Sequence, residues 1–452
     1  MRRSLLLLVL AAAALTKAID AQTTSIVAIQ GARIVPVQGR PIEAGTLVMR
    51  DGLIAAVGAT ATVPAGATII AGKGLTVYPG LIDLGSTTGL DLPPTPRADN
   101  PQTTEDVERV KADYLLRTPM RAADHLNPNA PALARAAAAG ITSILATPSG
   151  DAFRGQSALI NTSLPPDEPQ IGAVADRRKG ALVVRTPVAL HVTFSERPGA
   201  GNAYPNSLMG VVAFVRQAFL DAQHYQAAQR FAENTAAPPG RRLASAPAYE
   251  SPLEALQPVL ARRLPVAFRA DSAREILRAL DMAKAFKLDT IVTGAREADL
   301  VATDLKSADA RVIVGLDFPK RPESLAPDAD ESLGALRARA NAPKTAAALA
   351  KAGIPFAFAS GSLDDARDFL KNAVKTVQNG LARDEAIKAL TLQAATIAGA
   401  ADRLGSIEVG KLANVIVTDG DLFGDKTTIK HVFVEGRSVN LDVDWGNQRR
   451  RQ

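Results

Sequence analysis

The chain contains no cysteine among its 452 residues. That excludes disulfides, a thiol nucleophile, thiolate metal ligands and lipid attachment at a mature N-terminal cysteine. Histidine is nearly as scarce, with four in all, and tryptophan occurs once. Aromatic residues make up 4% of the chain, so a core must be aliphatic. No basic stripe with interleaved aromatics appears, which argues against nucleic acid as a partner. There is no Gly-x-Ser-x-Gly for a serine nucleophile, since "GQS" at Gly155 to Ser157 reads as a strand-entry turn. No P-loop and no internal repeat is present, and nothing singles out a carboxylate pair of the glycosidase kind. The one long apolar run, Leu5 to Leu15, is too short to span a bilayer.

That run belongs to "MRRSLLLLVLAAAALTKAIDAQ", which has the form of a secretory signal. Arg2 and Arg3 make the basic start and Ala21 is a small residue for cleavage, so residues 1–21 are set aside from the fold and a periplasmic or secreted protein is expected. A membrane anchor is the competing reading of the same run. The net charge of +6 falls to +4 without this segment, which carries Arg2, Arg3, Lys17 and Asp20. Much of the rest lies in the basic tail, residues 446–452, with Arg449, Arg450 and Arg451. A mature chain of this length can bury a large core without crosslinks.

From residue 24 to about 79 the text alternates and turns, with Asp51-Gly52 between two apolar runs as a hairpin signal. After Gly80 the rhythm changes. "PALARAAAAG", "AREILRALDMAKAF" and "KTAAALAKAG" read as helices, and "ITSILATP", "DTIVTG", "RVIVG" and "IPFAFAS" as strands. A long helix is expected over "SLMGVVAFVRQAFLDAQHYQAAQRFAEN", from Leu208, Val211, Val215, Phe219 and Ala222 at helical spacing. Strands alternating with helices indicate parallel βα units. Their number over 80–403 fits a (β/α)8 TIM-type barrel, and a doubly wound sheet stays open from pattern alone. From 404 to 445 the text returns to β, which suggests one composite β-sandwich domain built from both ends. Two Pro-rich loops, "DLPPTPRADNPQTTE" and "NTAAPPGRRLASAPAYESP", have the length of lids or disordered connections.

This arrangement resembles the amidohydrolase superfamily, in its imidazolonepropionase-related branch. The resemblance rests on "YPGLID" closing the first β segment, on "NPNAPALARAAAAGITSILATPSGDAFRGQSALI", on "YPNSLMGVVAFVRQAFLDAQHY", and most specifically on "LTLQAATIAGAADRLGSIEVGKLANVIV". It implies a barrel with a small β-sandwich and one or two divalent metals at the barrel mouth, activating water against a C–N bond. It also implies histidine and carboxylate ligands at set places, and this chain departs at each. Gly85 and Thr87 stand where a His-x-His pair follows the Pro-Gly-x-Ile-Asp turn. Arg269 and Thr293 stand at later strand ends where histidines are usual, and Gly361, between Ser360 and Ser362, where an aspartate is usual. Glycine has no ligand atom, and an arginine would repel a metal.

The histidines cannot rebuild such a site. His125, His191, His224 and His431 are far apart in sequence, and only His191, in "VALHVTF", has a strand position that would face a barrel mouth. Asp364 and Asp365 read as first-turn acids of "DDARDFLKN", and Asp83 as a hydrogen-bonding residue of its turn. The expectation is an exported amidohydrolase-family chain with a degenerate metal site, binding a ligand or partnering an active relative. Thr87, His191, Arg269, Asp271, Thr293, Arg296, Glu297, Ser360 and Ser362 are the candidate mouth residues, suited to a small polar or acidic ligand. No cofactor is expected. The alternative is a hydrolase of C–N bonds with an atypical site, and only then a divalent metal such as zinc. A metal-bearing paralogue or a second copy is the expected protein partner, and no membrane span is expected after signal removal.

Overall fold

A computed structural model describes residues 26–93, 103–106, 114–163, 182–194, 205, 207–234, 247–326 and 328–445. The signal segment 1–21, the basic tail 446–452 and the central parts of both Pro-rich loops lie outside the described residues. No helix among the described residues is long and apolar enough to cross a membrane.

Strands β1 (Ile26–Ile34), β2 (Ile42–Arg50) and β3 (Leu53–Gly58) form an antiparallel meander. Asp51 and Gly52 both have positive φ, 53° and 81°, so the Asp-Gly pair makes the tight turn that matches strand twist. Strand β4 (Thr68–Ala71) and then β5 (Thr76–Pro79) run parallel to β1. On its other edge β5 takes β16 (Val415–Thr418) antiparallel, with Val415 opposite Pro79, and β17 (Ile429–Val434) and β18 (Arg437–Ser438) follow. Strands from both ends of the chain therefore share one eight-stranded sheet, over a core that includes Ile29, Leu47, Val77 and Phe433.

The second β system starts one residue after β5. Strand β6 (Leu81–Ser86) pairs parallel with β7 (Ile141–Ala146). Strands β11 (Leu190–Thr193), β12 (Val266–Ala270), β13 (Thr290–Gly294), β14 (Arg311–Gly315) and β15 (Phe356–Ala359) form a second parallel run. Between the two runs lie β8 (Phe153–Gln156) and β9 (Ala158–Asn161). They pair antiparallel with β11 and with β10 (Val183–Arg185), and β9 pairs antiparallel with β7. Eight parallel strands were expected from the βα rhythm; among the described residues seven pair in the two parallel runs, the segment 153–161 runs the other way between them, and β10 pairs only with that segment. The reason is length. Only residues 147–152 separate β7 from β8, and a parallel return needs a crossover of about a dozen residues or more.

The parallel strands are buried on both faces, as their near-continuous apolar text requires. In β12, Val266 and Phe268 join the large core that packs the helices, while Ala267 joins a separate cluster with Ile82, Leu145, Ile291, Ile313 and Ala357. Helices α1 (Pro131–Ala138), α2 (Leu208–Asn234), α3 (Ala273–Phe286) and α4 (Thr345–Ala352) fall on the predicted helical text. The last ends on Gly353 in the left-handed region, φ 70°.

The two β systems are joined by a buried polar knot. Asn414 donates to the Asn161 carbonyl oxygen (2.9 Å) and Ser143 Oγ (3.2 Å), and accepts from the Glu435 N–H (2.8 Å). Its own backbone carbonyl accepts the Gly80 N–H at 2.8 Å. Removing the Asn414 side chain strands buried partners on both sides. Asn414→Ala is therefore expected to lower stability by about 1–3 kcal/mol in urea unfolding.

Candidate functional site

The inward end of β6 meets the end of β15 through one carboxylate. Asp83 is 2% exposed. Its Oδ1 accepts the N–H groups of Ser360 (2.8 Å) and Gly85 (3.1 Å), and its Oδ2 accepts the Ser360 hydroxyl at 2.6 Å. Beside it, Gly361 N–H donates to the Gly85 carbonyl at 3.2 Å. Burial pushes the Asp83 carboxyl above the usual carboxylate range, against the opposing pull of the Ser360 and Gly85 donors. Asp83 thus acts as the hydrogen-bonding residue that its turn suggested, and Ser360, expected at a ligand-binding mouth, is committed to it.

Along the ends of β12, β13 and β14 runs a chain of opposite charges. Arg269 lies 3.5 Å from Asp271, Asp271 lies 3.6 Å from Arg296, and Arg296 lies 3.1 Å from Asp317. Asp317 also accepts the Ser362 hydroxyl at 2.7 Å and its N–H at 3.3 Å. Burial raises the Asp271 carboxyl, and the Arg296 and Arg269 guanidiniums pull it back. Glycines give these carboxylates room. A Cβ on Gly294 would fall 2.4 Å from Asp271 Oδ1, and one on Gly361 would fall 2.8 Å from the Asp317 carboxyl. Both glycines have positive φ, 86° and 60°.

The other predicted residues take different roles. Glu297 Oε2 accepts the Ala273 N–H (2.9 Å), so it serves the start of α3. The same helix start carries a capping box of Ser272 and Glu275. The Thr293 hydroxyl points to the Phe268 carbonyl at 3.4 Å, and Thr87 is exposed on the loop after β6. His191 is 4% exposed, with Nε2 unpartnered among the described residues. Burial, then the nearby Arg154 charge, push its pKa down to about 3, so it is neutral at neutral pH. His224 is exposed on α2, and His431 stacks on Phe433 with ring centroids 6.2 Å apart. Asp365 pairs with Arg367 just ahead of the helix Arg367–Gln378, rather than within its first turn.

Two charged residues of this region went unnoticed in the sequence. Asp317 sits two residues beyond β14, a strand-end position that could have flagged it. Arg154 sits next to Phe153 at the start of the reversed segment, where no sequence signal marked a strand end.

A resident divalent metal does not fit these residues. Among the described residues no three histidine or acidic side chains converge as ligands. Gly361 cannot carry a carboxylate while Asp317 stands 2.8 Å from its Cβ position, and a Cβ on Gly85 would press Ala359 at 3.2 Å. Arg269 and Arg296 place positive charge beside both strand-end aspartates.

Residues 281–439 match the amidohydrolase family. The fold is the amidohydrolase fold. An amidohydrolase from Thermotoga maritima MSB8 superposes with a TM-score of 0.71 at 24% identity, over 92% of this chain and 99% of that one. A Xaa-Pro dipeptidase with bound methionine in its active site gives a TM-score of 0.52 at 15% identity, over 92% and 99% of the two chains. Phenylurea hydrolase B gives 0.52 at 16% identity, over 92% and 97%. No curated protein matches the chain. At these identities the structures establish a shared architecture.

The raised Asp83 pKa makes a test. A carboxyl whose folded pKa lies above its unfolded value stabilises the fold below that unfolded value, and the contribution is lost as pH rises through the folded pKa. Asp83→Asn keeps both carbonyl-side acceptor contacts without a charge to desolvate. The stability of the parent relative to Asp83→Asn should therefore fall as pH rises from the ordinary carboxylate range through the raised folded pKa, measured by urea unfolding at each pH. A flat difference would remove burial as the dominant influence on Asp83.

Proposed function

We propose that this chain is an exported amidohydrolase-superfamily protein of the imidazolonepropionase-related branch, with a degenerate metal site. In this reading it holds a small polar or acidic ligand at a barrel mouth, alone or as the partner of a metal-bearing relative, and does not run metal-assisted hydrolysis. The single observation that carries it is the charge chain Arg269–Asp271–Arg296–Asp317. Guanidiniums stand beside the strand-end carboxylates: Arg296 hydrogen-bonds Asp317, while Asp271 is held by ion-pair contacts at 3.5 and 3.6 Å with its Oδ1 unbonded among the described residues, and their positive charge repels a metal. The rest of the reading follows the same lines. Strands β6 to β15 close as a (β/α)8-type barrel with one reversed member, supported by the Gly361–Gly85 backbone bond between its first and last strands. Residues 80–403 form that barrel, and 24–79 with 404–445 form a β-sandwich domain. Residues 1–21 direct export to the periplasm or beyond, and 446–452 are a solvated basic tail.

The second reading is a hydrolase of C–N bonds acting through an atypical site. The match of residues 281–439 to the amidohydrolase family favours it, as do fold relatives that include a dipeptidase and a phenylurea hydrolase.

Metal analysis separates the two. The protein, expressed with zinc and manganese available and purified without chelator, is expected to carry substoichiometric metal and to leave dipeptides and cyclic amides uncleaved. About one tightly held metal per chain, with amide hydrolysis that chelation abolishes, would establish the second reading instead.

A further inference from the structure

The inner side of this strand system holds a group of residues that the charge chain does not explain. Phe153 packs edge-on against Phe214 and Phe219 of α2, and Phe268 stacks on Phe194, at centroid distances of 6.4, 5.6 and 5.7 Å. Neighbouring side chains on a strand point to opposite faces, so Arg154 and Arg269 project away from the helices. His191 does the same, because Leu190 and Val192 on either side of it join the helix-facing core. The register puts them together. His191 lies opposite Gly155 and beside Ala267, and Thr193 beside Arg269. His191 is thus one inward-facing layer below Arg269.

We propose that Arg154 and Arg269, with His191 Nε2 below them, form a seat for one carboxylate group of a small ligand. This rests on the ligand-binding reading of the mouth and adds to it the recognised group and two residues, Arg154 and His191, that make the seat. Among the described residues the only hydrogen bond of the Arg154 guanidinium runs from Nε to the Gly150 carbonyl at 2.9 Å, which orients the group and leaves its terminal nitrogens for a ligand. Among the described residues Arg269 has only the 3.5 Å contact with Asp271, which Arg296 also approaches. Burial and the Arg269 charge push the Arg154 pKa down to about 10, against the weaker opposing pulls of Asp151 and Asp271. Two guanidiniums held this way repel each other, and a carboxylate between them relieves both. Planar guanidinium and carboxylate groups match each other in two-point hydrogen bonding. The neutral His191 imidazole gives one more hydrogen bond without adding charge, and its buried Nε2 gains the partner that the protein does not supply.

The test is calorimetric titration of the full chain with acetate at constant ionic strength, with acetamide as the neutral counterpart. Saturable acetate binding is expected, with no acetamide binding. Arg154→Gln and Arg269→Gln should each weaken acetate by about tenfold or more, and Arg154→Lys by less. Circular dichroism checks each fold, and if Arg154→Gln fails to fold, the half-exposed Arg269 position carries the test. Absence of acetate binding in the folded parent, or binding unchanged in Arg269→Gln and in any folded Arg154 variant, overturns the seat. Metal content measured on the same samples keeps the two claims apart. A stoichiometric metal, with acetate binding that survives chelation and is lost in Arg269→Gln, overturns the non-catalytic reading and leaves the seat standing. A stoichiometric metal with acetate binding lost on chelation overturns both.

Discussion

The buried carboxylate of Asp83 is the constraint on which the inner strand system depends. It receives three hydrogen bonds, two of them from Ser360, and so ties the end of the first inner strand to the end of the last. A carboxylate there is costly to desolvate, and its raised pKa reports that cost. What it supplies is geometric: backbone and hydroxyl donors 277 residues away in sequence find one acceptor, and no apolar residue could fix that alignment. Gly85 can then approach Ala359 closely and bond Gly361 through its carbonyl. The aspartate of "YPGLID" thus has a structural use in this chain that does not need a metal beside it.

The strand ends show why this charge chain and a bound metal exclude each other. Asp271 and Asp317 occupy space that only glycine at 294 and 361 leaves open, and each is approached by a guanidinium. A side chain at 361 would displace Asp317, and Asp317 anchors Arg296 and Ser362. Metal ligation at these strand ends would need several of these residues to differ together. Partly exposed ion pairs of this kind contribute little net stability, because solvent screening and desolvation offset the attraction. Breaking one of them leaves an uncompensated charge, so the set is held by the cost of partial loss.

Much of the scaffold was legible because local chemistry decided it. Asp51-Gly52 gave a hairpin, Gly353 ended α4, and the β-branched runs at 290–294 and 311–315 became strands. The reversal of segment 153–161 is not legible in its text, because apolar text resembles any buried strand. Direction lay in the six-residue link before it, which no periodicity reports. The site was half legible. Arg269, Asp271 and Arg296 could be placed at strand ends and do meet there. Their partner Asp317 was not seen, since pairing across strands depends on register. Glu297 and Ser360 looked like free polar groups, and only the fold shows that a helix start and a buried carboxylate use them.

The Asn414 knot bears on how such a mouth could change while the scaffold stayed. Asn414, Ser143, Asn161 and Glu435 join the two β systems with no member on the strand ends that carry the charge chain. The parallel strands pack their outer faces on helices and their inner faces on a small aliphatic cluster, again apart from the mouth. Much of the packing therefore lies in layers apart from the charge chain, while the Asp83–Ser360 tie is the part of the scaffold that reaches the strand ends. A scaffold built this way can carry arginines and glycines at its strand ends, provided that the carboxylates there have charge partners. In this chain Asp83 and Asp317 are hydrogen-bonded, and Asp271 has guanidinium charge beside it without a hydrogen bond to its Oδ1 among the described residues. Arg154 and His191 are left with bonding capacity that no neighbour among the described residues meets, and that imbalance is what points to a ligand.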